Sequence, residues 1–386
     1  MAEMELFEQK KRTYTGPSNH NENPYGYYDR SARKDISVIR ETLNEWFRKY
    51  PNDEKLELRN SFKKKFDDCF YELFLHQLFT KLGFDIQVHP DLPNTSKKPD
   101  FLLKKGDLEL YAEAKIVKNK SHQQEAIERK INEFYDNISK LDSKGFLLII
   151  DTLILKSNNQ PSTKRLIKRI EEEIEKLDPD LVTEEISTKG FESTPIIEIE
   201  NEDILLRIKP IPVVKSARDK KKRPIGMYPM ESFWGGGEDS LKESISMKAK
   251  RYGKLDKPFI VCVNTLDVKT SGTHDIENAI WGSSAISWST NPDNKDEKWI
   301  RKRDGVFLGE KEPKLKSLSG VLVTKVFTHN IPVANYWLYK HPFSENGLEF
   351  NSLGLKFNFV ENGKIKSELG DDLGNILKIE NDWLNK

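Results

Sequence analysis

Between positions 34 and 50 the apolar residues Ile36, Ile39, Leu43, Trp46 and Phe47 recur at helical spacing, and Pro51 ends the run. This predicts an amphipathic helix. A second helix is predicted over 62–82, where Phe62, Phe66, Cys69, Phe70, Leu73 and Phe74 share one face, the second half is apolar almost all round, and Gly83 is placed to end it. The pattern then shortens to runs that read as strands at 84–88, 99–104 and 108–117. A helix over 124–141 and a continuous apolar strand at 146–151, of the type buried on both faces, complete the order α-β-β-β-α-β.

The remainder of the pattern is mixed. Residues 164–177 form another amphipathic helix, and 183–214 alternate like an antiparallel strand pair, IIEIE and ILLRI joined by NED. A second helix-to-strand unit spans 241–264 and ends in FIVCV. Its KLDKPFIVCVNTL echoes the earlier KLDSKGFLLIIDTL apart from one inserted residue, a likeness that two such units of similar composition reach readily, so it is not read as a repeat. The stretch 270–320, rich in Gly, Ser, Asn and Trp, is expected to be dominated by loops, with strands at 320–327 and 334–338. The polar opening to Arg33, including NHNENPYGYYD, lacks periodicity and is expected to be an extended or partly disordered arm.

With 386 residues there is enough apolar material for a core and at least one further module. Charged residues make up 32% of the chain yet cancel to +1, so a nucleic-acid partner would have to be held by local patches. No apolar run approaches bilayer length and no signal peptide is recognisable, which leads to the expectation of a cytoplasmic protein with no membrane partner. Cys69 and Cys262 each lie in an apolar segment without the spacing of a zinc site, and both are expected in the core.

The chemistry concentrates in KKPDFLLKKGDLELYAEAKIV. If Gly106-Asp107 is a two-residue hairpin turn beginning with glycine, Asp100 lies directly across from Glu113, with Cβ atoms about 5 Å apart on one sheet face. Lys115 shares that face because strand side chains alternate. Two carboxylates and one ammonium then converge, a set suited to phosphodiester cleavage: Asp100 and Glu113 would hold Mg2+ or Mn2+, and Lys115 would steer water and offset charge on the phosphate. Glu72, at the margin of the apolar helix face beside Cys69, Leu75, His76 and Phe79, is the fourth candidate: if its helix packs near the edge of the hairpin, it reaches the same metal or binds one of its waters.

Helix-borne Glu in FYELFLHQLF, then PDF at 99–101 and AEAK at 112–115 on successive strands, resembles the PD-(D/E)XK nuclease superfamily over residues 61–155. The resemblance implies an α/β fold: a restriction-endonuclease-like αβββαβ core with a mixed central sheet, metal binding by two carboxylates, and hydrolysis of DNA or, less often, RNA. It suggests restriction of foreign DNA as a role. Taken with the pattern of the rest of the chain, the expected division is a polar arm at 1–33, a helix at 34–60, a nuclease-like core at 61–178, and a C-terminal mixed α/β domain at 179–386 that recognises substrate or partner. The helix EAIERKINEFYDNI carries Lys130 and Tyr135 but not the glutamine found in some branches.

Rival readings remain beside each candidate. The PD and ExK residues could form a surface strand with a salt bridge, and the chain could be a catalytically silent nucleic-acid-binding or assembly subunit, or an RNase. Lys130 and the run Lys220, Lys221, Lys222 and Arg223, together with Lys215 and Arg218, could contact phosphate or simply be solvated. His76 is read as a packing residue, and His122 and Gln124 as phosphate contacts or helix caps. Trp281, Trp288 and Trp299 beside Arg301, Lys302 and Arg303 could stack on bases, with core packing the expected fate of most of them. The glycines at 235–237 lack the lysine and Ser/Thr of a phosphate loop. Homo-oligomerisation or a protein partner is left open.

Overall fold

The computed structural model describes residues 4–118, 120–157, 159, 161–218, 223–230, 236–267, 269–270, 272–291, 293 and 296–385. The chain divides into two compact units: unit 1 comprises residues 1–16, 23–119 and 234–386, and unit 2 comprises 17–22 and 120–233. In the opening segment, expected as an extended or partly disordered arm, the described residues of unit 1 include a helix and buried side chains. Asn23 caps α1 (Pro24–Arg30) by accepting from the Tyr25 amide, and Pro24 takes the first helical position, where its missing N–H costs nothing. Leu6 and Phe7 are buried, and the Asn44 side chain brackets the Phe7 backbone, accepting from its N–H at 2.8 Å and donating to its carbonyl at 3.0 Å.

Asn44 belongs to α2 (Lys34–Arg48), the amphipathic helix read from the sequence; α3 (Lys55–Phe62) follows. The apolar helix starts later than expected, as α4 (Phe66–Lys81), and is almost wholly buried because α2, α3 and sheet strands pack around it. Gly83, at φ +86°, lets the chain reverse into β1 (Asp85–Val88). There follow β2 (Phe101–Lys105) and β3 (Leu108–Val117), an antiparallel hairpin closed by Gly106 at φ +59°. That φ suits glycine and is what a two-residue turn beginning with glycine demands.

Unit 2 then begins. It contains α5 (His122–Ile138), β4 (Phe146–Leu155), α6 (Thr163–Ile174), α7 (Pro179–Lys189), β5 (Ile197–Glu200), β6 (Ile204–Pro212), α8 (Lys215–Arg218) and β7 (Ile225–Met227). Its four-stranded sheet runs β5-β6-β4-β7, with the β5–β6 pair joined at 201–203 as read from the sequence, although α7 occupies the start of the stretch expected to alternate. Ile138, Phe146, Leu148, Ile150, Ile170, Leu206 and Ile208 form a core of its own.

Returning to unit 1, α9 (Gly237–Ala249) leads into β8 (Phe259–Thr265), and α10 (Thr273–Trp281) and the ribbon β9 (Ser284–Ser287)–β10 (Lys298–Arg301) occupy part of the expected loop region. Gly237 is required there: a Cβ would lie 2.9 Å from the Thr270 amide nitrogen. β11 (Gly320–Thr324), β12 (Tyr336–Lys340), β13 (Phe357–Glu361), β14 (Lys364–Glu368) and α11 (Leu373–Leu377) complete it. The mixed sheet has the order β1-β2-β3-β8-β11-β12-β13-β14, with β3, β8 and β11 mutually parallel.

This corrects two expectations. The strand beside β3 is β8, whose residue Val261 pairs with Glu113, and the helix leading into it is α9. The helix and strand expected there, now α5 and β4, belong to unit 2, so the boundary falls at 119/120 and 233/234 rather than at 178/179. The strand β8 alternates between two cores: Ile260 and Cys262 pack with α4, while Phe259, Val261 and Val263 pack with α9 and α10. Cys69 and Cys262 are both buried and unpaired, as expected. No helix among the described residues is long and apolar enough to cross a membrane.

Placing a carboxylate at Leu148, fully buried in unit 2, leaves an uncompensated charge in that core and costs several kcal/mol, on the order of 3–5. For Leu148→Asp, hydrogen exchange should therefore show protection lost in β4 and β6 but retained in β3 and β8. Loss of protection in β3 and β8 would instead place β4 in their folding unit.

Candidate active site

The β2–β3 register fixes the geometry. Phe101 pairs with Ala112 and Leu103 with Leu110, which carries Asp100, the residue just before β2, opposite Glu113. The contacts agree: the Asp100 amide donates to Glu113 Oε2 at 3.3 Å, and the Ala114 amide donates to Asp100 Oδ2 at 2.6 Å. Tyr111 and Val117, on the odd-numbered face of β3, pack with α9, whereas Leu110, Ala112 and Ile116 face α4. Glu113 and Lys115 therefore point to the α9 side.

Glu113 is fully buried, and α9 and the segment after it surround it with donors absent from the sequence reading. Lys248 Nζ forms an ion pair with Oε1, the Arg251 guanidinium stands 3.5 Å from the same oxygen, and the Tyr252 hydroxyl donates to Oε2 at 2.5 Å. The carboxylate beside it and burial raise the Tyr252 phenol above its ordinary pKa, burial being the larger cause. Such a buried carboxylate persists only because it is paired; removing its partner would cost about 3–5 kcal/mol.

Asp100 is less well served. Burial first, then the negative charges of Glu113 and Glu72, push its carboxyl up to about 7, against the pull of Lys248 and the Ala114 amide. Two carboxylates thus share a space in which one holds its charge reluctantly, a need that an added cation meets. The donor set, hard oxygens only, fits Mg2+ or Mn2+, which take one or two carboxylates and fill the rest of their shell with water and phosphate. Lys115, half-buried and two residues past Glu113 on the same face, makes no hydrogen bond or ion pair among the described residues.

Glu72 stands on the helix that packs against β3 and β1. It sits on α4, which packs against the other face of the sheet, and its Oε1 accepts from the Tyr50 hydroxyl at the end of α2. Burial raises its pKa, opposed by Tyr50 and by His89. Its charge is felt at Asp100, but among the described residues no group of three Asp, Glu, His or Cys side chains is gathered closely enough to hold a metal. Asp100 and Glu113, opposite each other on the hairpin, are the nearest candidate ligands, and the charge of Glu72 reaches Asp100 from α4. His76 is buried against the Tyr50 ring at 4.8 Å, and burial lowers its pKa to about 4, as suits a packing residue.

The basic candidates Lys130, Lys215, Arg218 and Arg223 belong to unit 2. Lys220, Lys221 and Lys222 are outside the described residues, as is the side chain of His122. The rest of that run is engaged within the unit: Lys215 and Arg218 pair with Asp180 at 3.0 and 2.7 Å, and Arg223 donates to the Ser18 carbonyl at 2.8 Å. Lys130 is half-buried on α5, and Gln124 closes a capping box with Ser121. Of the tryptophans, Trp281 is in the core as expected, but Trp288, just past β9, and Trp299, on β10, are 65% and 78% exposed; Lys302 and Arg303 are exposed at the other end of the ribbon, where the Lys302 amide donates to the Ser283 carbonyl.

Compared with protein-family models, with curated proteins and with solved structures, the chain matches none significantly.

Proposed function

We propose that this chain is a metal-dependent nuclease with a restriction-endonuclease-like core, hydrolysing phosphodiester bonds, in DNA by preference. One observation carries the reading: Asp100 stands opposite Glu113 across a hairpin, with Lys115, whose ammonium has no partner among the described residues, on the same sheet face. The order α4-β1-β2-β3-α9-β8 supports it, since it matches the αβββαβ order of the PD-(D/E)XK superfamily with unit 2 inserted between β3 and α9.

Asp100 and Glu113 would hold the divalent ion, which when bound polarises the phosphate and the attacking water. Asp100 is oriented by the Ala114 amide, and Glu113 by Tyr252 and its own neighbours on α9. Lys115 orients the water and offsets charge that builds on the phosphate oxygens. Trp288 and Trp299, exposed on the ribbon, offer stacking surfaces for bases, and Lys302 and Arg303, exposed at its other end, offer charge for the backbone. Restriction of foreign DNA is a role consistent with this chemistry.

A second reading has its own support. The donors around Glu113 make a complete ion-pair cluster, which would serve equally in a catalytically silent subunit that only binds nucleic acid. The two separate on incubating the protein with plasmid, single-stranded DNA and RNA, with Mg2+, Mn2+ or chelator. The nuclease should nick in metal alone, and Asp100→Ala and Lys115→Ala should each lose about a hundredfold or more in rate. Cleavage at wild-type rate in both variants rejects the reading; binding that survives chelator and both substitutions, without cleavage, favours the silent subunit. Replacing Trp288 and Trp299 by alanine should weaken single-strand binding by about 1–3 kcal/mol per base lost from a stack.

The raised pKa of Asp100 sets the pH behaviour of the metal-free protein. Its folded value of about 7 exceeds the unfolded value of ~3.9, so the folded state binds the proton more tightly. Stability associated with this group is complete below ~pH 4, falls as pH rises, and levels off above about 7. In chelator, Asp100→Asn should melt several degrees above wild type near ~pH 8 and close to it near ~pH 4, and wild-type affinity for Mn2+ should weaken on acidification below neutrality. Equal melting temperatures at both pH values would contradict this assignment.

A further inference from the structure

Both oxygens of Glu113 are already occupied, and that has a consequence for how any metal enters. Each carboxylate oxygen can accept two partners: Oε2 already takes the Tyr252 hydroxyl and the Asp100 amide, whereas Oε1 takes Lys248 with Arg251 3.5 Å away, so a cation reaching Oε1 meets those positive charges. The three side-chain partners differ in how easily they go. Tyr252 is neutral and buried, with its ring edge-on to Phe259 at 5.9 Å. Arg251 stands farther off and is largely in solvent. Lys248, on the last turn of α9, carries a full charge on a flexible stem, and its side chain retains 16% exposure.

We propose, building on the nuclease reading, that Lys248 is the resident counter-ion of Glu113 in the metal-free protein, yields that place to the divalent ion, and then contacts a non-bridging oxygen of the substrate phosphate. Two like-signed ions on one carboxylate oxygen repel strongly in a buried site, so the ammonium is the partner that metal displaces. The exchange never leaves Glu113 unpaired, and Tyr252 continues to hold Oε2 throughout. The released ammonium is best satisfied by an anion, and the scissile phosphate is the anion at hand. Metal and substrate should accordingly strengthen each other's binding, and reciprocally so.

The test is a calorimetric Mn2+ titration of wild type, Lys248→Met, Lys248→Gln and Asp100→Asn, with melting curves in chelator to establish that each is folded. Lys248→Met and Lys248→Gln should bind Mn2+ about tenfold more tightly than wild type, because no ammonium competes, while single-turnover cleavage drops about a hundredfold. Mn2+ should also raise their melting temperatures more than that of wild type. Lys248→Gln retains a hydrogen-bond donor to Glu113 and is the variant to rely on if Lys248→Met does not fold. Unchanged or weaker Mn2+ binding in the folded variants overturns the counter-ion role and leaves the nuclease reading standing. Tighter binding with undiminished cleavage overturns the phosphate contact, and absence of Mn2+ binding in every protein overturns the nuclease reading itself.

Discussion

Glu113 is a carboxylate that the fold places out of water, and a charge so placed must be paired where it sits. Its position follows from the β2–β3 register, which also brings the second carboxylate, Asp100, to face it. Repulsion between the two, added to burial, leaves Asp100 reluctant to ionise. Positive charge must therefore reach this point from elsewhere in the chain, and α9 delivers it through Lys248 with Arg251 just beyond. That is why the parallel pairing of β3 with β8 matters chemically: it sets the helix leading into β8 against the face that carries the acids.

The parts of this arrangement that were legible in the sequence are the local ones. Gly106 and Asp107 specify a two-residue turn, a two-residue turn fixes the register, and the register places Asp100 opposite Glu113 without reference to the rest of the molecule. The burial of Cys69 and the length of β3 were legible for the same reason, from the pattern of the segments themselves. What the sequence could not settle was which buried strand lies beside β3. FLLIIDTL and FIVCVNTL each follow an amphipathic helix, each reads as fully buried, and the nearer one in sequence was assigned to the core. Nothing local distinguishes them, because the choice rests on contacts across more than a hundred residues. Missing Lys248, Arg251 and Tyr252 was the direct cost, since the sequence reading had no reason to bring residues near 250 to the acids at 100 and 113.

Other departures share this cause. Leu6 and Phe7 show no periodicity, yet they are buried because Asn44 satisfies the backbone of Phe7 and allows the arm to pack. Glu72, a carboxylate on an apolar helix, takes a hydrogen bond from Tyr50, a partner that its own segment does not reveal, while its charge reaches Asp100. Trp288 and Trp299 are the converse: large apolar residues expected in a core that the ribbon leaves in solvent. In each case the side chain's fate was decided by which face of an element met a partner.

The central claim is that Asp100 and Glu113 together hold one divalent ion, and anomalous diffraction from crystals soaked in Mn2+ tests it most directly. The expected map has a single peak about 2.0–2.3 Å from an oxygen of each carboxylate, with Lys248 withdrawn from Glu113. Manganese density only at other positions, with Lys248 still paired to Glu113 at saturating Mn2+, would contradict the claim.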